Sequence, residues 1–172
     1  MPTRLLLLAD THVPKRARAI PEQVWRAVDE ADVVFHAGDW VTEAVLDDLE
    51  ARAARLVGVY GNNDGDVLRA RLPEIADVGI DGIRFAMIHE TGPATGREAR
   101  CEAQFPDADV LVFGHSHIPW DTTTTPRGLR LLNPGSPTDR RRQPACTMMT
   151  AVADSGMLRD VDLVPVVRSA LA

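Results

Sequence analysis

The sequence predicts a layered α/β fold of the α/β/β/α type, two mixed β-sheets packed together with helices outside. Three observations carry this. Short, continuous apolar runs recur along the chain, stretches of helical period separate the first three of them, and the second half is broken by tight Gly- and Pro-containing turns that bring in antiparallel pairing.

Residues 4–9 (RLLLLA), continuously apolar after Arg4 and too short for a core helix, read as a buried strand. Pro21 suits a first helical position, and Val24, Trp25 and Val28 then line one face of a helix running to about residue 30. Residues 32–36 (DVVFH) form the next strand. Thr42 suits the N-cap of a helix through Val45, Leu46 and Leu49, after which residues 56–60 (LVGVY) return as a third strand. Such alternation gives parallel strands with right-handed crossovers, so the three should leave their sheet at one edge. Residues 75–80 and 83–88 flank Asp81-Gly82, a two-residue hairpin signal. A helix over about 97–104 and a buried strand over 109–113 (DVLVF) follow. The segments 129–132, 145–153 and 157–164 are strand-rich, punctuated by Pro126-Arg127-Gly128, Asn133-Pro134-Gly135 and Ser155-Gly156. With no repeat and no linker-like boundary, residues 1–172 are expected to form one domain.

Apolar residues make up 45% of the chain and charged residues 26%, a balance that excludes disorder. The net charge of −6 argues against a protein that coats nucleic acid, whose affinity comes from Lys and Arg on phosphates. It does not exclude a small anionic substrate, because bound cations make a pocket locally positive. Cys101 and Cys146 belong to no metal or redox motif and are read as two reduced thiols. The apolar run 5–9 is too short for a signal-peptide core or a membrane span, so a cytoplasmic protein is expected.

The ends of five expected strands then stand out together. They finish in Asp10-Thr11-His12, in Gly38-Asp39, in Gly61-Asn62-Asn63-Asp64, in His89, and in Gly114-His115-Ser116-His117. Ligand crevices of open α/β sheets lie outside the carboxyl ends of the strands, so these five ends can meet at one place. Asp10 with His12, and His115 with His117, are spaced i, i+2, which in extended backbone points both side chains to one side. Gly38, Gly61 and Gly114 each precede a candidate ligand and let backbone approach closely. His36 lies inside a strand run and is read as a packed residue behind the site.

Four imidazoles, two carboxylates and one amide oxygen, with no thiolate, suit Mn, Fe, Co, Ni or Zn. Asp10, His12, Asp39, Asn62, His89, His115 and His117 are too many for one tetrahedral zinc. Two ions about 3.5 to 4 Å apart need a bridging group, for which Asp39 is the candidate. Asp10 and Asp39 return only part of the charge of two divalent ions, and the surplus suits a hydroxide and a phosphate oxygen.

These motifs, in this order and closed by Asn133-Pro134-Gly135-Ser136, resemble the calcineurin-like metallophosphoesterases, in particular the small single-domain phosphodiesterase branch. The resemblance runs from Asp10 to Ser136. It implies one metal on Asp10, His12, Asp39 and His117 and another on Asp39, Asn62, His89 and His115. It also implies the α/β/β/α metallophosphoesterase sandwich, two divalent ions, commonly Mn, and hydrolysis of small phosphate esters by a bridging hydroxide. Many members of that branch form dimers or tetramers. In the wider superfamily the position of Asn63 is often His, which can protonate a leaving group as Asn cannot. The family often follows the isolated His with Gly-His, whereas His89 is followed by Glu90-Thr91-Gly92, leaving Glu90 as a replacement substrate contact.

Asp64 is read either as a turn residue or as a catalytic group orienting hydroxide or substrate. Lys15, Arg16 and Arg18 follow the first ligand pair and Arg140, Arg141 and Arg142 the Asn-Pro-Gly-Ser turn; both runs read as solvated surface before phosphate clamps, and the first, through Lys15 and Arg16, is the better candidate for substrate contact. Trp25, Trp40 and Trp120 read as packing residues, Trp120 also being close enough to His117 to line a pocket mouth. Two other functions compete with a phosphodiesterase or phosphatase. One is a non-catalytic scaffold of the same fold, as in the retromer subunit that resembles these enzymes; the other is a DNA nuclease, which the length and acidic charge do not support.

Overall fold

The computed structural model describes residues 1–167. The chain runs β1 (Thr3–Leu8), α1 (Glu22–Glu30), β2 (Val33–His36), α2 (Glu43–Arg52), β3 (Leu56–Gly58), α3 (Asp66–Arg71), β4 (Ile75–Ile80), β5 (Ile83–Ile88) and α4 (Arg97–Gln104). It continues through β6 (Val110–Val112), β7 (Trp120–Thr123), β8 (Arg130–Asn133), β9 (Cys146–Asp154) and β10 (Met157–Val166). The strands form two five-stranded mixed sheets, in the orders β10-β9-β1-β2-β3 and β4-β5-β6-β8-β7. As the crossover rule requires, β1, β2 and β3 are parallel neighbours. Antiparallel pairing enters at the β4–β5 hairpin, where Asp81 and Gly82 both take positive φ.

The continuous apolar strands are explained by burial on both faces. Leu5 and Leu7 of β1 join Phe35 of β2 and meet Phe85, Met87 and Val112 of the second sheet, forming the layer between the sheets. Leu6, Leu8 and Val34 point the other way, onto Val24 and Val28 of α1 and Val45, Leu46 and Leu49 of α2. On the far side Ala86, Leu111 and Leu131 pack against Cys101 of α4 and Phe105. Helix, sheet, sheet and helix are thus stacked in the expected order. Both cysteines are buried and free. Among the described residues no helix is long and apolar enough to cross a membrane.

Some details differ from the sequence reading. Pro21 is the N-cap of α1 rather than its first helical residue. Thr42 occupies the N-cap of α2 without capping it, its hydroxyl donating instead to the Val13 carbonyl. Helix α3 and strand β7 were not expected, and β3 ends at Gly58, short of Tyr60.

Candidate metal centre

The ends of β1, β2, β3, β5 and β6 lie together, and loop-to-loop hydrogen bonds prolong the strand pairing into the site. Asp10 N donates to Gly38 O at 2.9 Å, His12 N to Asp39 O at 3.1 Å, and Gly114 N to His89 O at 2.9 Å. Two further bonds cross between the sheets: His115 N to Asp10 Oδ2 at 2.9 Å, and His89 Nδ1 to the Ala37 carbonyl at 2.7 Å.

Convergence is achieved differently from the i, i+2 argument. Asp10, His12, Asp39, His115 and His117 all have positive φ, between 45° and 70°. The pairs therefore turn into the site through left-handed backbone, not along extended strands. Each such residue costs on the order of 1 kcal/mol, and Asp and His tolerate the region better than most. The glycines are needed for space: a Cβ on Gly38 would stand 2.7 Å from His89 Nδ1, and one on Gly114 2.8 Å from Asp10 Oδ2. A Cβ on Gly61 would collide with Asp39 Oδ1.

The candidate donors fall into two groups sharing one carboxylate. In the first, His12 Nε2 and His117 Nε2 are 3.1 Å apart and stand 3.7 and 3.5 Å from Asp10 Oδ1. In the second, Asn62 Oδ1 lies 3.0 Å from His89 Nε2 and 2.9 Å from His115 Nδ1. Asp39 Oδ2 is between them, 3.4 Å from His12 Nε2 and 3.5 Å from His89 Nε2. Asp10, His12, Asp39, His89 and His117 are buried, while Asn62 is exposed and His115 half-buried. His117 Nδ1 donates to the Asp139 carbonyl at 2.7 Å, which leaves Nε2 with a lone pair facing the site.

The donor set fits divalent cations on its own evidence. Asp10 Oδ1 is buried with no hydrogen-bond partner, although buried carboxylate oxygens are costly to leave unpaired. It faces two imidazole nitrogens at ligand-like separations, an arrangement a shared cation satisfies. The electrostatics agree. Burial alone would raise Asp39, but hydrogen bonds from His89 and Asn63 hold its carboxyl well below the usual range. Burial would lower His89, yet the Asp39 hydrogen bond and the charges of Asp10 and Asp39 push it up to about 9. Burial keeps His117 below its ordinary value against the pull of Asp10.

The other sequence-derived candidates are distributed around this cluster. Asn63 donates its backbone N–H to Asp39 Oδ1 at 2.8 Å and its amide to Asp39 Oδ2 at 2.7 Å. Asp64 is buried, and its carboxylate accepts from the N–H groups of Asp39, Gly61 and Val41 at 3.0, 2.7 and 2.7 Å. Burial raises its pKa. Glu90 stands 3.6 Å from His115 Nε2 and lines a cavity of about 380 Å³ with Tyr60, Arg69, Glu74 and His89. Lys15 is exposed, and Arg16 reaches Asp139 at 3.7 Å. Trp120 lays its ring against the Arg97 guanidinium at 4.4 Å, a packing role.

Several residues at the site escaped the sequence reading. Ser136 and Thr138 donate their hydroxyls to the carbonyls of Asp10 and Thr11, at 2.7 and 2.6 Å, and Asn133 donates to Gly114 O at 3.0 Å. The Asn-Pro-Gly-Ser turn therefore holds two ligand loops at once. Arg69 stacks on Tyr60 at 4.6 Å and donates to the carbonyls of Asp64 and Gly61 at 2.8 and 3.2 Å. Only the turn motif was a sequence signal; Arg69 lies on the unexpected α3.

Comparison with known proteins shows the family. A probable metallophosphoesterase of Methanothermobacter thermautotrophicus is 33% identical over 173 residues, covering 95% of each chain. A Thermotoga maritima protein solved in solution is similar with a TM-score of 0.75 at 30% identity, over 95% of this chain and 99% of that one. Vps29 of Entamoeba histolytica shares the fold, with a TM-score of 0.75 at 22% identity over 94% and 98% of the two chains. The family model for the calcineurin-like phosphoesterase superfamily domain matches residues 3–156, and the chain belongs to that superfamily.

Proposed function

We propose that the protein is a metal-dependent hydrolase of small phosphate esters that works with two divalent cations. The observation that carries this is the unpartnered, buried Asp10 Oδ1 facing His12 and His117, with Asp39 shared between two groups of donors. Asp10, His12, Asp39 and His117 would hold one ion, and Asp39, Asn62, His89 and His115 the other. Manganese is the first choice for this mixed imidazole, carboxylate and amide set, with Fe, Co, Ni and Zn as alternatives. Bound cations of this kind acidify a water toward neutral pH and polarise a phosphoryl oxygen.

The chain's own residues prepare and limit that chemistry. Asn63, through two hydrogen bonds, fixes the Asp39 carboxylate in the orientation that faces both donor groups. Asp64 ties the Asp39 and Gly61 loops together by three backbone N–H groups and acts as a positioning residue. Asn63 cannot protonate a leaving group, so esters of acidic alcohols should react best. Glu90, at the cavity rim beside His115, is the candidate contact for the departing group.

The test is turnover of bis-p-nitrophenyl phosphate with each of the five metals, against an Asp39→Asn variant. Metal-dependent release of nitrophenolate is expected, falling at least about 100-fold in the variant because one carboxylate serves both donor groups. No metal-dependent turnover with any of the five would defeat the reading. The fold likeness to Vps29 supports a second reading, a non-catalytic scaffold, and that negative result would favour it.

A further inference from the structure

The cations of this chain are gathered. Of its 19 Lys and Arg residues, six stand in two short runs: Lys15, Arg16 and Arg18, and Arg140, Arg141 and Arg142. The fold brings both runs to one flank of the metal centre. Arg16 N donates to His12 O at 2.8 Å, folding its turn back onto the first ligand loop. Arg16 Nε is 3.7 Å from Asp139, whose carbonyl takes the Nδ1 proton of His117. Arg141 Nη1 donates to the His115 carbonyl at 3.4 Å.

Charge runs are ordinarily solvated surface, and contact with the ligand loops through Arg16 and Arg141 is what separates these two. Elsewhere several arginines meet carboxylates, Arg4 with Asp32, Arg52 with Asp29, Arg71 with Asp47 and Glu50, Arg130 with Asp121, and Arg159 with Asp154, while Arg69 and Arg100 are spent on backbone carbonyls. Within the two runs all six cations are exposed, and Asp139 is the one acidic side chain. Of the six only Arg16 pairs with it, and the same carboxylate stands 3.8 Å from His117 Nδ1. Arg141 is moreover held at a φ of 48°, a backbone state that costs an arginine energy and that clusters at functional sites. Five of the six have no carboxylate partner among the described residues, and in a chain of net charge −6 such a local positive field is one that an anion from outside relieves. The cavity beside His89 is chemically different, being walled by Tyr60, Arg69, Glu74 and Glu90 and lined by none of these six cations.

Resting on the phosphoesterase reading, we propose that the substrate is a phosphodiester carrying at least one further phosphate on one arm. That arm lies over residues 15–18 and 140–142, and the arm without phosphate enters the Tyr60 cavity. The two flanks thereby fix which way round the ester sits, and so which oxygen departs.

Two measurements on the manganese-loaded protein test this. Calorimetry compares thymidine 3′,5′-bisphosphate with thymidine 5′-monophosphate; kinetics compares the p-nitrophenyl ester of thymidine 5′-phosphate with and without a 3′-phosphate, the leaving group being the same. The extra phosphate should tighten binding and raise kcat/KM by about tenfold. The preference should shrink in about 0.5 M KCl and fall to about twofold or less in an R141Q/R142Q double variant that retains its circular dichroism. Should that variant misfold, Lys15→Gln with Arg18→Gln reads the same flank. Equal binding of the two nucleotides, or a preference untouched by salt and by these substitutions, overturns the proposal even with hydrolysis intact. Tenfold preference in binding with neither ester hydrolysed under any metal would instead support the charged flank and sink the phosphoesterase reading.

Discussion

His36 shows how the ligand loops are held from behind. Its ring stacks on Trp40 with centroids 3.6 Å apart; Nδ1 accepts the Gly38 N–H at 3.3 Å, so Nε2 carries the proton and donates to Thr11 Oγ1 at 3.1 Å. Thr11 lies between two candidate ligands and Gly38 precedes a third. Burial above all, with the nearby positive charge of His89, pushes the pKa of His36 down to about 3. The unfolded chain takes up a proton on this residue below pH about 6.5 and the folded chain does not until about 3. Stability is therefore fully present above about 6.5 and is lost as pH falls from there toward 3, by a few kcal/mol in all. In metal-free protein, His36→Phe should start about 1–3 kcal/mol less stable at pH 8, because Gly38 N–H and Thr11 lose a partner. Its stability should then decline less steeply than the wild type's between about pH 6 and 4, as urea unfolding at each pH would measure. Parallel declines would show that His36 is not the buried neutral base described.

At the scale of elements, the loop that carries His115 and His117 is gripped at both ends by one side chain. Arg97 opens α4, is 5% exposed, and lies 4.9 Å from the ring of Phe113, just before the loop, and 4.4 Å from that of Trp120, just after it. No carboxylate pairs with it among the described residues. Its Nη2 donates to Gly92 O at 3.3 Å and its Nε has no partner, so the two aromatic faces supply most of the compensation for burying the charge. Arg97→Ala should cost about 2–4 kcal/mol in urea unfolding, and Arg97→Lys should recover only part, since an ammonium cannot lie flat across two rings. A loss under about 0.5 kcal/mol would mean the loop holds itself. Neither this clamp nor two of the elements, β7 and α3, could be read in advance. Strand β7 is an edge strand of four residues, half exposed and paired only with β8, and α3 is six residues burying one leucine, so neither makes a periodic signal. The double-sided strands did make one. Likewise the seven candidate donors were legible because they end strands and Asp64 because it closes one of those motifs, whereas Thr138 and Arg69 act on backbone groups, which leave no pattern in the side-chain sequence.

Across the whole molecule, the donor set is divided between the sheets. Asp10, His12, Asp39 and Asn62 follow β1, β2 and β3, while His89, His115 and His117 follow β5 and β6 of the other sheet. Cations held by both groups would tie the layers together at one edge of the inter-sheet core, so metal and fold stability should be linked. The linkage also has a proton in it. His89 at about 9 is charged in the metal-free protein at neutral pH, a stabilising pairing with Asp39 that is complete below about 6.5 and lost as pH rises through 9. A metal accepts only the neutral imidazole, so its entry must displace that proton. Manganese at about 100 times its dissociation constant should add about 2.7 kcal/mol and raise Tm. Calorimetric titrations near pH 7.5, run in buffers of different ionisation enthalpy, should show at least one proton released per protein, the His89 proton adding to that of the acidified water; the His89 share should fade above about pH 9, and His89→Asn should release about one proton fewer. A Tm indifferent to manganese would separate the cluster from the fold's stability. Binding without proton release would show that the ion enters elsewhere than beside His89 and Asp39.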